Sequence, residues 1–308
     1  MLSLFYRSMV FASRLCGPWL FGLVAKGIAT GYFLFAPRRA AVSLRFYRAL
    51  FPQRGRAHHL WCTWRQYLNF TTVYLDRLLM VEGGEIECTH SGWEHLEAAL
   101  DRRTGGILLM SHLGNWEIAA HMLKRRKQGA RLILYMGMRA KAQIERLQKE
   151  DLGRKGIRIV GVEKDGGAHF DLLEGLRFIQ SGGLVSMTGD QLWHSSQRAV
   201  TVAFLGHRVA LPEAPHLLAM LSGAPLFVFF SRRTGRRRYH LSMSGPLRVA
   251  RVRRLERARA IQDSAQRYAD LLEKSLYENP LEWYHFERFL GPRLNVGGEG
   301  ALPPPAAG

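Results

Sequence analysis

The chain has 308 residues, 44 Lys and Arg against 25 Asp and Glu for a net charge of +19, and 47% hydrophobic residues. That apolar content excludes intrinsic disorder, and the charge favours an acidic partner: nucleic acid, anionic lipid or an acidic protein. Cys16, Cys62 and Cys88 form no C-x-x-C pair and no H-E-x-x-H run occurs, which excludes a disulfide scaffold, a cysteine zinc site and a zincin.

Residues 15–37 are apolar except for Lys26. A bilayer span needs about 20 such residues, but a central Lys costs roughly 2.5 to 3.5 kcal/mol, and Gly17, Gly22, Gly27 and Gly31 weaken the helix. Three readings follow: a span, a helix lying in the interface with Lys26 reaching toward the head groups, or an ordinary core helix. Arg38, Arg39, Arg45 and Arg48 follow the segment, against Arg7 and Arg14 before it, so a span would leave the bulk of the chain on the cytoplasmic side. Residues 54–80 read as one amphipathic helix, with Trp61 and Trp64 suited to an interface and His58-His59 to plain surface. Residues 1–83 are thus expected to be a membrane-associated helical region.

From residue 84 the pattern becomes short apolar runs between amphipathic helices. Ser91-Gly92-Trp93-Glu94 has the capping-box pattern, opening a helix to about residue 103. Strands are expected at 107–110, 131–136, 157–160 and 184–187, with helices from 115, near 140–153 and near 170–180. A hairpin follows at 225–231 and 239–243 around Thr234-Gly235, then a last helix near 256–277. This alternation predicts an α/β domain over 84–292: a mixed, largely parallel central sheet flanked by helices. The Gly/Pro/Ala-rich residues 293–308 read as a disordered tail.

The stretch with chemical content is Ser111-His112-Leu113-Gly114-Asn115-Trp116-Glu117. A histidine with an acid five positions on is weak evidence, since 12 histidines and 25 acids give about one such pair by chance; His169 and Glu174 form another. Context separates them. His112 follows an apolar strand and precedes a helix, where open α/β sheets place their ligands. Residues five apart on one helix lie about 140° apart around the axis, so His112 and Glu117 meet only if His112 lies in the turn before it. Gly114 permits the bend, Asn115 suits the N-cap, and Glu117 falls in the first turn, where the helix dipole favours its carboxylate. An ionised carboxylate can hold one imidazole N–H while the other nitrogen takes a proton from a hydroxyl or amine. No G-x-S-x-G elbow accompanies it.

The run from His112 to Glu117 resembles the H-x-G-N-W-E signature of the bacterial lipid A acyltransferase family, the lauroyl and myristoyl acyltransferases, in which H-x-x-x-x-D/E is catalytic. Further resemblances follow in order: Thr188-Gly189-Asp190-Gln191 to the family's strand-end D-Q, Val202-Ala203-Phe204-Leu205-Gly206 to v-p-F-F-G, and Gly223-Ala224-Pro225 leading to Arg232. Pro280-Leu281-Glu282-Trp283 resembles the terminal P-x-x-W. The family's Y-R after the third strand is replaced by Tyr135-Met136-Gly137-Met138-Arg139, so Arg139 is only a candidate for that arginine.

The resemblance implies an acyltransferase at the cytoplasmic face of the inner membrane, moving a fatty acyl chain from a thioester to a hydroxyl or amine of a lipid A-like or other amphiphilic acceptor. His112 and Glu117 would be catalytic, with Asn115, Arg139, Asp190, Gln191 and Arg232 binding substrate. Asp190 could orient the acceptor, pair with Arg139, or merely cap a loop. No metal or cofactor is implied. The donor would be acyl carrier protein, which is acidic, or acyl-coenzyme A; Lys124–Lys127 and the arginines from 232 to 238 would form a surface for it or for anionic lipid. The competing readings are a non-catalytic membrane-binding scaffold and a basic nucleic-acid-binding protein, though no recognition motif for nucleic acid is present.

Overall fold

Short apolar runs become strands because each is bounded by glycine or polar turns and buried on both faces. The computed structural model describes residues 18–81, 85–126, 130–137, 158–162, 168–193 and 196–294. Arg139, the helix expected near 140–153 and the tail beyond 294 lie outside them.

The strands in chain order are β1 (Glu87–Ser91), β2 (Gly106–Met110), β3 (Leu132–Gly137), β4 (Arg158–Val162), β5 (Leu184–Thr188), β6 (Ala199–Phe204), β7 (His207–Pro212), β8 (Leu226–Gly235) and β9 (Arg238–Met243). Seven form one sheet, ordered β1-β9-β8-β2-β5-β3-β4, and β6-β7 form a separate antiparallel hairpin. Within the seven-stranded sheet only β8 and β9 pair antiparallel. The mixed, largely parallel sheet read from the sequence is therefore present.

The helices are α1 (Pro18–Phe35), α2 (Pro37–Leu50), α3 (Arg56–Val81), α4 (Trp93–Asp101), α5 (Trp116–Arg126), α6 (Ala168–Gln180), α7 (Ala214–Ser222) and α8 (Arg257–Glu278). Alternation along the strands builds two cores. Ile107, Leu109, Ile133, Val185 and Val228 pack on one face with Tyr268 and Leu272 of α8. Leu108, Met110, Leu134, Phe227 and Phe229 pack on the other with Trp93, Leu96 and Ile118 of α4 and α5.

Three local expectations change. Ser91 does not cap α4; its hydroxyl contacts His240 Nε2 at 3.1 Å, and the N-cap is Gly92 at φ 74. A Cβ there would run into the Met243 carbonyl, so glycine is required by both backbone and space. His59 is buried rather than surface, with Nε2 2.9 Å from the Phe51 carbonyl oxygen. The arginines from 232 to 238 are not one surface cluster either: Arg233 turns inward to Asp76.

The N-terminal helices answer the membrane question in part. Helix α1 has 18 residues, about 27 Å at 1.5 Å per residue, and Pro37 starts a new helix directly after it. No helix among the described residues is long and apolar enough to cross a membrane, so the spanning alternative is set aside for them. Helix α1 packs on α3, where Trp64 Nε1 donates to Thr30 Oγ1 at 3.1 Å and Tyr32 and Phe33 meet Tyr67. Its open surface is largely apolar, with Trp19 65% and Phe35 87% exposed and Leu23, Ile28 and Leu34 also exposed, and it carries the one exposed charge Lys26.

Helices α2 and α3 grip the segment after α8. Tyr47 donates its hydroxyl to the Pro280 carbonyl at 3.0 Å, Asn69 donates to the Leu281 carbonyl at 3.3 Å, and Gln66 Nε2 donates to the Trp283 carbonyl. Buried Asp76 of α3 accepts from Arg233 Nε at 2.9 Å and from the Tyr239 hydroxyl at 2.6 Å. Breaking a buried pair leaves an uncompensated charge, so Asp76→Ala is expected to destabilise the fold by about 3 kcal/mol in denaturant titration. A loss below about 1 kcal/mol would mean this contact does not anchor α3.

Candidate active site

The turn between β2 and α5 carries the sequence signature, and two separate parts of the chain, β8 and the segment after α8, hold it with three backbone hydrogen bonds. Gly114 N donates to the Glu282 carbonyl at 2.9 Å, Asn115 N to the Ser231 carbonyl at 3.3 Å, and Tyr284 N to the His112 carbonyl at 2.8 Å. Gly114 sits at φ 72 against the Ser231 carbonyl, where a Cβ could not fit. Asn115 Oδ1 accepts from Glu117 N at 3.2 Å, making it the N-cap that the sequence suggested. His112 therefore lies before the helix and Glu117, almost completely buried, in its first turn.

Asp190 completes the arrangement from two residues beyond β5. Its Oδ1 is 2.8 Å from His112 Nδ1, and its Oδ2 accepts from His112 N at 2.8 Å and from Trp283 Nε1 at 2.9 Å. An ionised carboxylate only accepts, so Nδ1 carries the proton and Nε2 carries the lone pair. The His112 side chain is 25% exposed and that of Asp190 is 0%. Burial by itself would raise the Asp190 carboxyl, but the charge and hydrogen bonds of His112 outweigh it and hold the group down at about 2. The carboxylate is thus ionised at any ordinary pH.

His285 and Trp283 form the wall behind this pair. The His285 ring meets the His112 ring edge-on at 5.4 Å and stacks on Trp283 at 5.1 Å. Burial pushes His285 down to about 4, so it is neutral near pH 7. On the other side Tyr268 donates to the Met110 carbonyl at 3.2 Å, at the end of the strand that delivers His112.

Of the residues expected to bind substrate, the structure brings Asn115 and Asp190 to His112. Gln191 is adjacent in sequence but donates from Nε2 to Glu287 Oε2 at 3.2 Å. Arg232 follows Ser231 beside the turn, and its buried Nε has no partner. Of the competing pair, Glu174 forms an ion pair with Arg158 at 2.5 Å on strand β4, and the His169 side chain is outside the described residues. The structural roles of Trp283 and His285 were missed by sequence reasoning, although Trp283 belongs to the terminal P-x-x-W. The approach of Asp190 to Nδ1 was missed as well, since 78 residues separate the two. Among the described residues no group of three or more His, Cys, Asp and Glu stands together as a metal site.

Fold and site together define an open α/β protein with a histidine–carboxylate pair at the carboxyl end of its central strands. The family model described as "Bacterial lipid A biosynthesis acyltransferase" matches residues 77–290, and the chain belongs to that family. It is also 24% identical over 165 residues to a phosphatidylinositol mannoside acyltransferase of Mycobacterium tuberculosis, an alignment covering 53% of this chain and 48% of that protein. The chain thus spans about half the length of that relative.

Proposed function

We propose that the protein is a membrane-bound acyltransferase that moves a fatty acyl chain from a thioester donor to a hydroxyl of an amphiphilic acceptor, using His112 as general base. The observation that carries this reading is the hydrogen bond from His112 Nδ1 to a buried, ionised Asp190, in a chain of an acyltransferase family. Asp190 holds the tautomer, and Nε2 removes the acceptor proton as its oxygen attacks the thioester carbonyl. The imidazolium so formed is stabilised by Asp190 and by the charge of buried Glu117, then returns its proton to the leaving thiolate. Arg139 and Arg232 are the candidates to hold the thioester oxyanion or the acceptor.

The exposed apolar surface of α1 suits a helix resting in the interface at the cytoplasmic face of the inner membrane. A binding scaffold or a nucleic-acid protein has no use for a part-exposed imidazole fixed by a fully buried charge.

The acceptor left open by the family resemblance includes lipid A, other glycolipids and polyenes. Incubating the purified protein with acyl carrier protein and coenzyme A thioesters of one chain length, plus a lipid extract, is expected to give an acylated lipid by mass spectrometry. Acyl carrier protein should be the better donor, with an advantage that shrinks as salt rises, because exposed Arg236 and Arg238 steer an acidic partner. No transfer from either donor would sink the acyltransferase reading. A salt-independent preference for coenzyme A would overturn the carrier-protein reading alone.

A further inference from the structure

A cavity of about 310 Å³ lies between α2 and the segment that carries Trp283 and His285. Residues 38, 41, 42, 45 and 46 of α2 line it, which is the i, i+3, i+4, i+7, i+8 spacing of one helix face. That face presents Arg38 and Arg45 across the small residue Ala41 and the short Val42. Arg288 enters from the opposite wall, and Glu287 is the only acid in the lining. Three guanidinium groups against one carboxylate leave an excess of positive charge, and Glu287 already accepts from Gln191.

The donors are also available. Arg45 uses one Nη2 bond, at 2.8 Å, on the Gly291 carbonyl, and a guanidinium has five N–H donors in all. Among the described residues Arg38 and Arg288 make no hydrogen bond or ion pair. The rear wall is Trp283 and His285, the two rings that back the His112–Asp190 pair, and His285 Nδ1 is buried there without a partner.

Position decides between ligands. Arg38 comes three residues after Phe35, the most exposed apolar residue at the end of α1. If the open apolar surface of α1 rests among acyl chains, the arginines that begin α2 stand at head-group depth, where anionic phosphates are concentrated. Guanidinium matches phosphate oxygens in paired hydrogen bonds.

We propose that the cavity bounded by Arg38, Arg45, Arg288 and His285 binds the anionic phosphate head group of a bilayer lipid. The bound head group fixes the depth at which α1 rests and so presents the His112 turn to the membrane surface. This rests on the interfacial reading of α1 given above and adds a defined lipid site to it.

The test is direct binding of a soluble short-chain phosphatidylglycerol, with short-chain phosphatidylcholine and inorganic phosphate as the other probes. The double variant Arg38→Gln/Arg288→Gln is expected to weaken phosphatidylglycerol binding by at least ~10-fold, the loss of one to two charge-assisted hydrogen bonds. Val42→Trp, which fills the cavity and changes no charge, should weaken it similarly. Arg254→Gln/Arg257→Gln, on the exposed start of α8, should stay within about twofold. Equal losses in the cavity and control variants would overturn the proposal in favour of diffuse attraction. Unchanged binding by Val42→Trp, equal affinity for phosphatidylcholine, or inorganic phosphate bound as tightly as the lipid would overturn it as well. Hydrolysis of the donor thioester without acceptor reads the acyltransferase function separately: its absence in the unaltered protein would defeat that function while leaving the lipid site to stand or fall on binding.

Discussion

His112→Ala is expected to lower acyl transfer by at least ~10²-fold while keeping the circular dichroism spectrum of a folded protein, with a lowered melting temperature because buried Asp190 loses its side-chain partner. The ring is part-exposed, so the fold should survive its loss, and the fall in kcat should far exceed what the lower stability explains. Glu117→Gln keeps the shape of a buried residue in the first turn of α5 but removes its ionisable carboxyl. It should also be severely impaired, although its burial makes a stability cost larger than for His112→Ala. His169→Ala is the control and should retain activity. An active His112→Ala protein, with the His169 variant inactive, would place the general base elsewhere.

Asp190→Asn is expected to be nearly as damaging, for a reason the hydrogen bonds make specific. Oδ2 receives two fixed donors, the His112 backbone N–H and the Trp283 indole N–H, neither of which can become an acceptor. An asparagine must therefore turn its carbonyl oxygen toward them, which aims its amide NH2 at His112 Nδ1. The imidazole can answer only by moving its proton to Nε2, the atom that should act as base. Misdirecting a catalytic tautomer costs on the order of 10⁴ in kcat where it has been isolated, and a fall of roughly 10³ to 10⁴ is expected here. Nitrogen-15 chemical shifts of His112 should show the tautomer exchange directly. An Asp190→Asn variant with the parent's kcat and an unchanged tautomer would show that Asp190 is merely structural.

The sign of the pH response follows from the same contact. Asp190 is held at about 2 against an ordinary value of 3.8, so it stabilises the fold fully above about pH 4 and loses that contribution as pH falls toward 2. His285, pushed down to about 4, is neutral near pH 7; it resists charging until well below the ordinary histidine range and destabilises the fold as pH drops from about 6.5 toward 4.

Much of the architecture could be read from local chemistry. Runs such as 107–110 and 132–134 are apolar without interruption because both sheet faces are covered, and Gly114 and Asn115 mark the bend and the N-cap that put His112 ahead of α5. The hairpin of β6 and β7 was not recognised as a pair of strands. It is held by α8, through Gln266 to Ala203 N at 2.8 Å and Glu273 to Leu205 N at 2.7 Å, and such contacts leave no local pattern. The buried side of α3 escaped too: His59, Thr63, Gln66 and Asp76 are polar residues inside the fold, each bonded to the backbone or to a side chain distant in sequence, whereas Leu60 and Trp61 face outward.

By itself the sequence determined the α/β class and the family signature, and it preferred His112 to His169 as the expected base, because each reading depends on spacing within a few residues. Only the tertiary structure decided which carboxylate meets Nδ1. Glu117 is tied to His112 by a turn, but Asp190 reaches it because β2 and β5 are parallel neighbours that end together, bringing residues 78 positions apart within 2.8 Å. It also decided that Trp283 and His285 back the site and share a wall with the arginine-lined cavity. Neighbouring strand ends are set by the order of the whole sheet, and no local periodicity carries that information.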